Sequence, residues 1–224
     1  MVHRGQPGRA GPAHRKFSSL ETPAGFDAEC GRILQSLSLQ LPEATGGGGR
    51  LIAVTATTPA EGVSTISWAL SVFLARLEAS RVLYVDADFE THDPRRPLGR
   101  APSPGFLDVV LSDGEVRGAV QKSAVPNLDT LSPGTARSPG TARSFFTRFE
   151  KTLDGMRQSY AYVVFDSSPP LLTPFSAVLA ARCDGVLLVV GAGVAPARRV
   201  EQALSRLRTS GARVLGVVMN RRLR

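Results

Sequence analysis

Between Thr57 and Thr65 the chain reads T-T-P-A-E-G-V-S-T, directly after the apolar run L-I-A-V-T-A. Pro59, Glu61, Gly62, Val63, Ser64 and Thr65 make up the turn from a buried strand into a helix that starts near Ser64. Backbone N–H groups at such a helix start can hold phosphate, and a Ser or Thr hydroxyl there can reach magnesium. Two further stretches end in acids. V-L-Y-V-D-A-D at 82–88 closes on Asp86 and Asp88, and Y-V-V-F-D-S-S-P-P at 162–170 carries Asp166. Carboxylates at strand ends beside a phosphate loop are hard oxygen ligands suited to Mg²⁺, so Ser64, Asp86 and Asp166 are the candidate metal ligands. Each piece alone has a plain structural reading, since an Asp often caps a turn and Pro/Gly loops often precede helices. All three in this order are much harder to obtain by chance.

The elements that must position these residues follow from hydrophobic patterning. The reading is strand 51–56, helix 64–78, strand 81–86, short helices near 105–121, strand 127–131, helix 144–158, strand 161–166, helix 175–182, strand 185–190, helix 196–210 and strand 213–219. The strands are continuous apolar runs, as expected when both faces of a parallel sheet are covered. The fold class that results is α/β, a doubly wound and mainly parallel sheet flanked by helices, with ligands expected at the carboxyl ends of the strands. Ahead of it, Phe26, Cys30, Ile33, Leu34, Leu37 and Leu41 fall at helical spacing, and Gly46 to Gly49 form a flexible linker. The organisation is therefore a basic tail over 1–25, an amphipathic helix and linker over 26–49, one domain over 50–220 and a short basic tail over 221–224. S-P-G-T-A-R at 132–137 recurs at 138–143, a direct duplication that reads as a tolerated loop insertion.

Composition narrows the function classes. The chain of 224 residues has a formal net charge of +8, but Arg4, Arg9, Arg15, Lys16, Arg221, Arg222 and Arg224 lie in the two ends. Setting those seven aside leaves 20 basic against 19 acidic residues, so the body is close to neutral. Basic tails are drawn to any polyanion, including an acidic lipid surface, and by themselves choose none. With no helix-turn-helix pattern, a partition-type protein binding nucleic acid is the weakest reading. Cys30 and Cys183 match no metal-ligand or disulfide-framework spacing, and no apolar run approaches a membrane span.

From about Glu29 to Asn220 the chain resembles the bacterial tyrosine kinase family, relatives of the Min and Par P-loop ATPases. P-A-E-G-V-S-T is similar to the family's P-G-E-G-K-S-T, V-D-A-D to its second Walker-type motif and V-V-F-D-S-S-P-P-L to its third. G-F-L-D-V-V-L at 105–111, C-D-G-V-L-L-V-V at 183–190 and V-L-G-V-V-M-N at 214–220 are lesser echoes. The resemblance implies ATP and Mg²⁺ as cofactors, Asp86 and Asp88 as catalytic-site acids, and a role in capsule or exopolysaccharide synthesis and export. It further implies a partner in the cytoplasmic end of a membrane polysaccharide co-polymerase, a cytoplasmic location held peripherally at the inner membrane by that partner, and homo-oligomers. Glu29 and Arg32 match the first two positions of the family's E-x-x-R-x-x-R assembly element, with Gln35 at the third; an amphipathic helix packed on its own domain fits the same residues.

The departures fall on the chemistry. Val63 stands at the family's phosphate-binding lysine, and the chain has three lysines against 24 arginines, so drift under that bias would have left an arginine. Losing a charge-assisted hydrogen bond of roughly 1.5–3 kcal/mol weakens nucleotide affinity about 10- to 100-fold. The loss in transition-state stabilisation, by analogy with oxyanion donors, is roughly 10²–10³ in rate. Ala60 replaces a family glycine, which costs about 1 kcal/mol if the position needs positive φ. The resemblance implies a tyrosine-rich acceptor tail, but none is expected from the tyrosines of this sequence, and Tyr84, Tyr160 and Tyr162 read as strand packing. The expectation is a degenerate member acting as a regulatory or scaffolding subunit; the alternative is an active ATP-binding kinase or ATPase of the same pathway.

Overall fold

Leu51 to Ala56 is apolar apart from Thr55, and every residue in it is buried because the sheet is covered on both faces. Leu51 and Ala53 point into one core cluster, and Ile52, Val54 and Ala56 into the other, the alternation that a period of two imposes. The same partition holds in the neighbouring strands. Leu83 and Val85 oppose Val82 and Tyr84, and Val186, Leu188 and Val190 oppose Leu187 and Val189.

The computed structural model describes residues 31–32, 48–77, 80–89, 104–136 and 143–220. In chain order they form β1 (Arg50–Ala56), α1 (Val63–Leu77), β2 (Val82–Asp86), α2 (Phe106–Ser112), a 3₁₀ turn (Val116–Gly118), β3 (Gln121–Lys122) and β4 (Leu128–Leu131). Then come α3 (Arg143–Ser159), β5 (Tyr162–Asp166), α4 (Pro174–Arg182), β6 (Gly185–Gly191), α5 (Ala197–Thr209) and β7 (Val214–Asn220). The strand order is β3-β4-β2-β5-β1-β6-β7, parallel throughout except for β3 against β4. Helices α2 to α5 supply the first cluster through Phe106, Phe149, Leu179 and Leu207; α1 supplies the second through Trp68, Leu70 and Leu74. The doubly wound α/β class is as expected from the sequence.

Most element ends lie within a residue or so of the sequence reading. The exception is Gln121, expected in a short helix and found in β3, a two-residue strand too brief for any periodicity to mark. The start of α4 has a local cause: the Thr173 hydroxyl accepts from the Phe175 N–H, and Pro174 occupies the first turn, where its missing donor costs nothing.

The amino end of the sheet is fixed by charge. Arg157 donates to both carboxylate oxygens of Asp184, at 2.6 and 3.0 Å, and to the Gly49 carbonyl at 3.0 Å, while Asp184 also accepts from the Leu51 N–H. A Cβ at Gly49 would lie 1.7 Å from the Tyr160 carbonyl oxygen, so the chain enters β1 through a position that accepts no side chain. Entry is thus opposite to the carboxyl edge where β1, β2 and β5 end.

Candidate nucleotide site

The β1–α1 loop is built around Glu61, whose carboxylate is buried although it has no cationic partner among the described residues. One oxygen accepts from the Thr57 N–H (2.8 Å), the Thr57 hydroxyl (2.7 Å) and the Thr58 N–H (2.9 Å), and the other from the Gly191 N–H at 3.1 Å. Four donors offset the desolvation of one carboxylate, and in return Glu61 fixes the end of β1 against the end of β6. The Glu61 carbonyl accepts from the Asn220 side-chain amide at 2.8 Å, which ties in β7 as well. Gly62 has φ 95°, and a Cβ there would sit 2.2 Å from Asn220 Nδ2, so this position requires glycine.

Ala60 has φ 64°, the left-handed conformation that the sequence made a condition for strain. A Cβ in that region costs roughly 1–2 kcal/mol. Val63 opens α1 and packs against the cluster formed by Ile52, Trp68 and Leu74, so the position of the family's lysine is occupied by a side chain turned to the core. Ser64 is half-buried in the first turn, and Pro59 and Thr65 are exposed. The Gly62 carbonyl accepts from the Thr65 and Ile66 N–H groups, so the amides of Val63 and Ser64 precede the first intrahelical donors and retain the anion-holding character of a helix start.

The three acids come together at the carboxyl edge. Asp86 and Asp166 are direct register partners across β2 and β5, and Asp166 is also partnered with Val54 of β1, three residues before the loop. All are buried: Asp86 is 0%, Asp166 1% and Asp88 6% exposed. Asp86 accepts from the Asp88 N–H at 3.2 Å, which folds the D-A-D turn back on itself. The Ser168 hydroxyl donates to Asp88 at 2.5 Å, and the Tyr84 hydroxyl donates to Asp166 at 2.8 Å. Among the described residues no group of three or more His, Cys, Asp or Glu side chains is placed to hold a metal ion. The oxygen donors that a magnesium would draw on at this edge are the Asp86 and Asp166 carboxylates, with the Ser64 hydroxyl at the start of α1, and Val63 offers a phosphate no cation.

Two partners here escaped the sequence reading. Tyr84 is more than packing, because its ring stands edge-on to Trp68, 5.4 Å between centroids, while its hydroxyl reaches the acid of the third motif. The signal was available, since alternation puts Tyr84 two residues before Asp86 on the same side of β2. Ser168 could have been found as the hydroxyl two residues after Asp166.

No protein-family model matches the chain. Over 173 residues, 77% of this chain, it is 30% identical to EpsB of Ralstonia nicotianae, which carries a tyrosine-protein kinase name, and 25% identical to the tyrosine-protein kinase CpsD of Streptococcus agalactiae. The match spans 23% of EpsB and 75% of CpsD. Among solved structures, the BceF tyrosine kinase domain superposes with a TM-score of 0.72 at 26% identity, covering 91% of this chain and 81% of that one. The named relatives are bacterial tyrosine-protein kinases. The fold extends to the septum site-determining protein MinD of Pyrococcus horikoshii, solved with Mg-ADP, at a TM-score of 0.58 and 15% identity, covering 78% of this chain and 71% of that one.

The stretch that resembles the family's assembly element is described only at Gly31 and Arg32. Arg32 is exposed in a helical stretch with Gly31, whose position approaches Phe73 of α1. Glu29 lies outside the described residues, as do both tails and the rest of the 26–41 helix. Of the tyrosines, Tyr160 is buried and donates to Asp129 at 3.0 Å; burial first, and then that carboxylate, push its hydroxyl up to about 12. No helix among the described residues is long and apolar enough to cross a membrane.

Proposed function

We propose that this chain is a tyrosine-kinase-like P-loop protein that no longer carries out phosphotransfer and serves capsule or exopolysaccharide synthesis and export as a regulatory or scaffolding subunit. The observation that carries the reading is Val63. Its side chain joins the core at the head of α1, in a loop further burdened by Ala60 at φ 64°, so the retained helix start faces a phosphate with backbone amides alone. The cytoplasmic end of a membrane polysaccharide co-polymerase is the partner this reading assigns, at the inner-membrane surface. In cells, deletion is expected to change polymer length or amount, whereas Asp86→Ala is not. A chain whose deletion leaves surface polysaccharide unchanged overturns the reading.

A second reading is favoured by the intact acids. Asp86 and Asp166 are register partners with Asp88 two residues on, all buried at the carboxyl edge, which suits a weak Mg-ATP enzyme that takes a cation from a neighbouring subunit. Magnesium-dependent phosphorylation of a tyrosine-rich peptide, abolished by Asp86→Ala, is the result that selects it.

A further inference from the structure

Tyr84 is fully buried in the middle of β2, and its strand neighbours on that face of the sheet are aliphatic, Val164 directly beside it and Ile52 beyond. Packing asks for no hydroxyl there, and a buried hydroxyl is costly unless it finds a partner. The partner is the acid of the third motif, since the Tyr84 hydroxyl donates to Asp166 at 2.8 Å. Register explains the reach. Tyr84 is paired with Val164 and Asp86 with Asp166, so Asp166 stands one same-face step further along β5, within range of a long side chain.

The ring of Tyr84 is held from the other side by α1. Trp68 meets it edge-on, 5.4 Å between centroids. Trp68 follows Ser64 by four residues, so both lie on one face of α1, and a helical side chain leans back toward the turn before it. A contact chain therefore runs from the Ser64 face of α1 through Trp68 and Tyr84 to the carboxylate of Asp166. Its two ends carry two of the three groups that a magnesium would draw on, and the third, Asp86, lies two residues after Tyr84 on the same side of β2.

We propose that Tyr84 is a positioning residue for a divalent cation: its hydroxyl fixes the rotamer of Asp166 with respect to the α1 face that carries Ser64, so the carboxylate meets the ion already ordered. A carboxylate has two oxygens, and a hydrogen bond to one sets the direction of the other. Partners of this kind are worth roughly 10- to 100-fold in metal affinity. Ser168 is the less telling of the two hydroxyls at this edge, because its acid, Asp88, is not among the candidate ligands. The inference rests on the assignment of Ser64, Asp86 and Asp166 to magnesium. It is independent of the loss of phosphotransfer, since an ion can be held where no chemistry follows.

The test titrates Mn²⁺ alone into the full chain and counts the free ion by electron paramagnetic resonance, for the wild type, Tyr84→Phe and Asp166→Asn. Tyr84→Phe keeps the ring against Trp68 and deletes only the donor. Saturable Mn²⁺ binding is expected in the wild type, weaker by about 10- to 100-fold in Tyr84→Phe and at least as weak in Asp166→Asn. A merely structural tyrosine lowers the urea midpoint on losing its hydroxyl but leaves the Mn²⁺ affinity, and the rise in midpoint that Mg²⁺ brings, as in the wild type. Equal or tighter binding by Tyr84→Phe overturns the proposal, and so does a wild type that takes up no Mn²⁺ saturably. Should Tyr84→Phe not fold, Trp68→Phe, which loosens the support of the ring and keeps the hydroxyl, is expected to weaken Mn²⁺ binding, and unchanged affinity there overturns the proposal equally. Polysaccharide phenotype and peptide phosphorylation judge the proposed function, so neither result decides the other.

Discussion

Ala60 and Val63 sit three residues apart and depart from the resembled phosphate loop in different ways. Ala60 stores strain: its φ of 64° places a Cβ where an L-residue is disfavoured by roughly 1–2 kcal/mol, of which glycine's larger unfolded-state freedom returns about half. Ala60→Gly is therefore expected to stabilise the protein by about 0.5–1 kcal/mol, read as a higher urea midpoint at unchanged slope. A lower midpoint would mean that the methyl group is wanted where it is. Val63 stores nothing; it packs against the Ile52 cluster and simply supplies no donor. Both departures were legible as letters, but the sign of φ at Ala60 was not, because it depends on how Glu61 pulls the loop onto Thr57, Thr58 and Gly191. A glutamate in a phosphate loop reads as a ligand-facing residue until its four donors are seen.

At the scale of elements, apolar runs flanked by turns marked six of the seven strands because parallel strands are buried on both faces, and nothing marked β3. Contacts between distant elements were not legible either. Asp108, in the first turn of α2, accepts from the N–H groups of Gly105 (2.9 Å), Thr135 (2.9 Å) and Ala136 (3.0 Å), so it clamps the first copy of the S-P-G-T-A-R duplication to α2. Burial alone would raise this carboxyl, but the N–H groups of Thr135, Gly105 and Ala136 outweigh burial and hold it below the ordinary carboxylate range. A depressed folded-state value contributes stability above the unfolded value, and that contribution is lost as pH falls through the folded one. The stability gap between wild type and Asp108→Asn is accordingly expected to be widest near about pH 6–7 and to close toward about pH 2–3, measured by urea unfolding across pH. A gap independent of pH would show that the clamp does not depend on the charge.

On the scale of the whole molecule, near-neutrality between the tails coexists with a locally basic stretch, since Arg198, Arg199, Arg206, Arg208 and Arg213 are all exposed on and just after α5. The three motifs, by contrast, were legible because each lies at the end of a strand and the parallel order brings strand ends to one edge whatever the loops do. β5 lies between β1 and β2, which is why Asp166 is the hinge of the set, in register with both Val54 and Asp86. The molecule thus keeps its acids on one edge, while at the loop position where the resembled family has a lysine Val63 packs toward the core. Isothermal titration with ATP and Mg²⁺, run on the wild type and on Val63→Lys with Ala60→Gly, tests this most directly. The account predicts binding in the double variant and affinity at least about tenfold weaker, or none, in the wild type. Wild-type affinity equal to that of the double variant would contradict it.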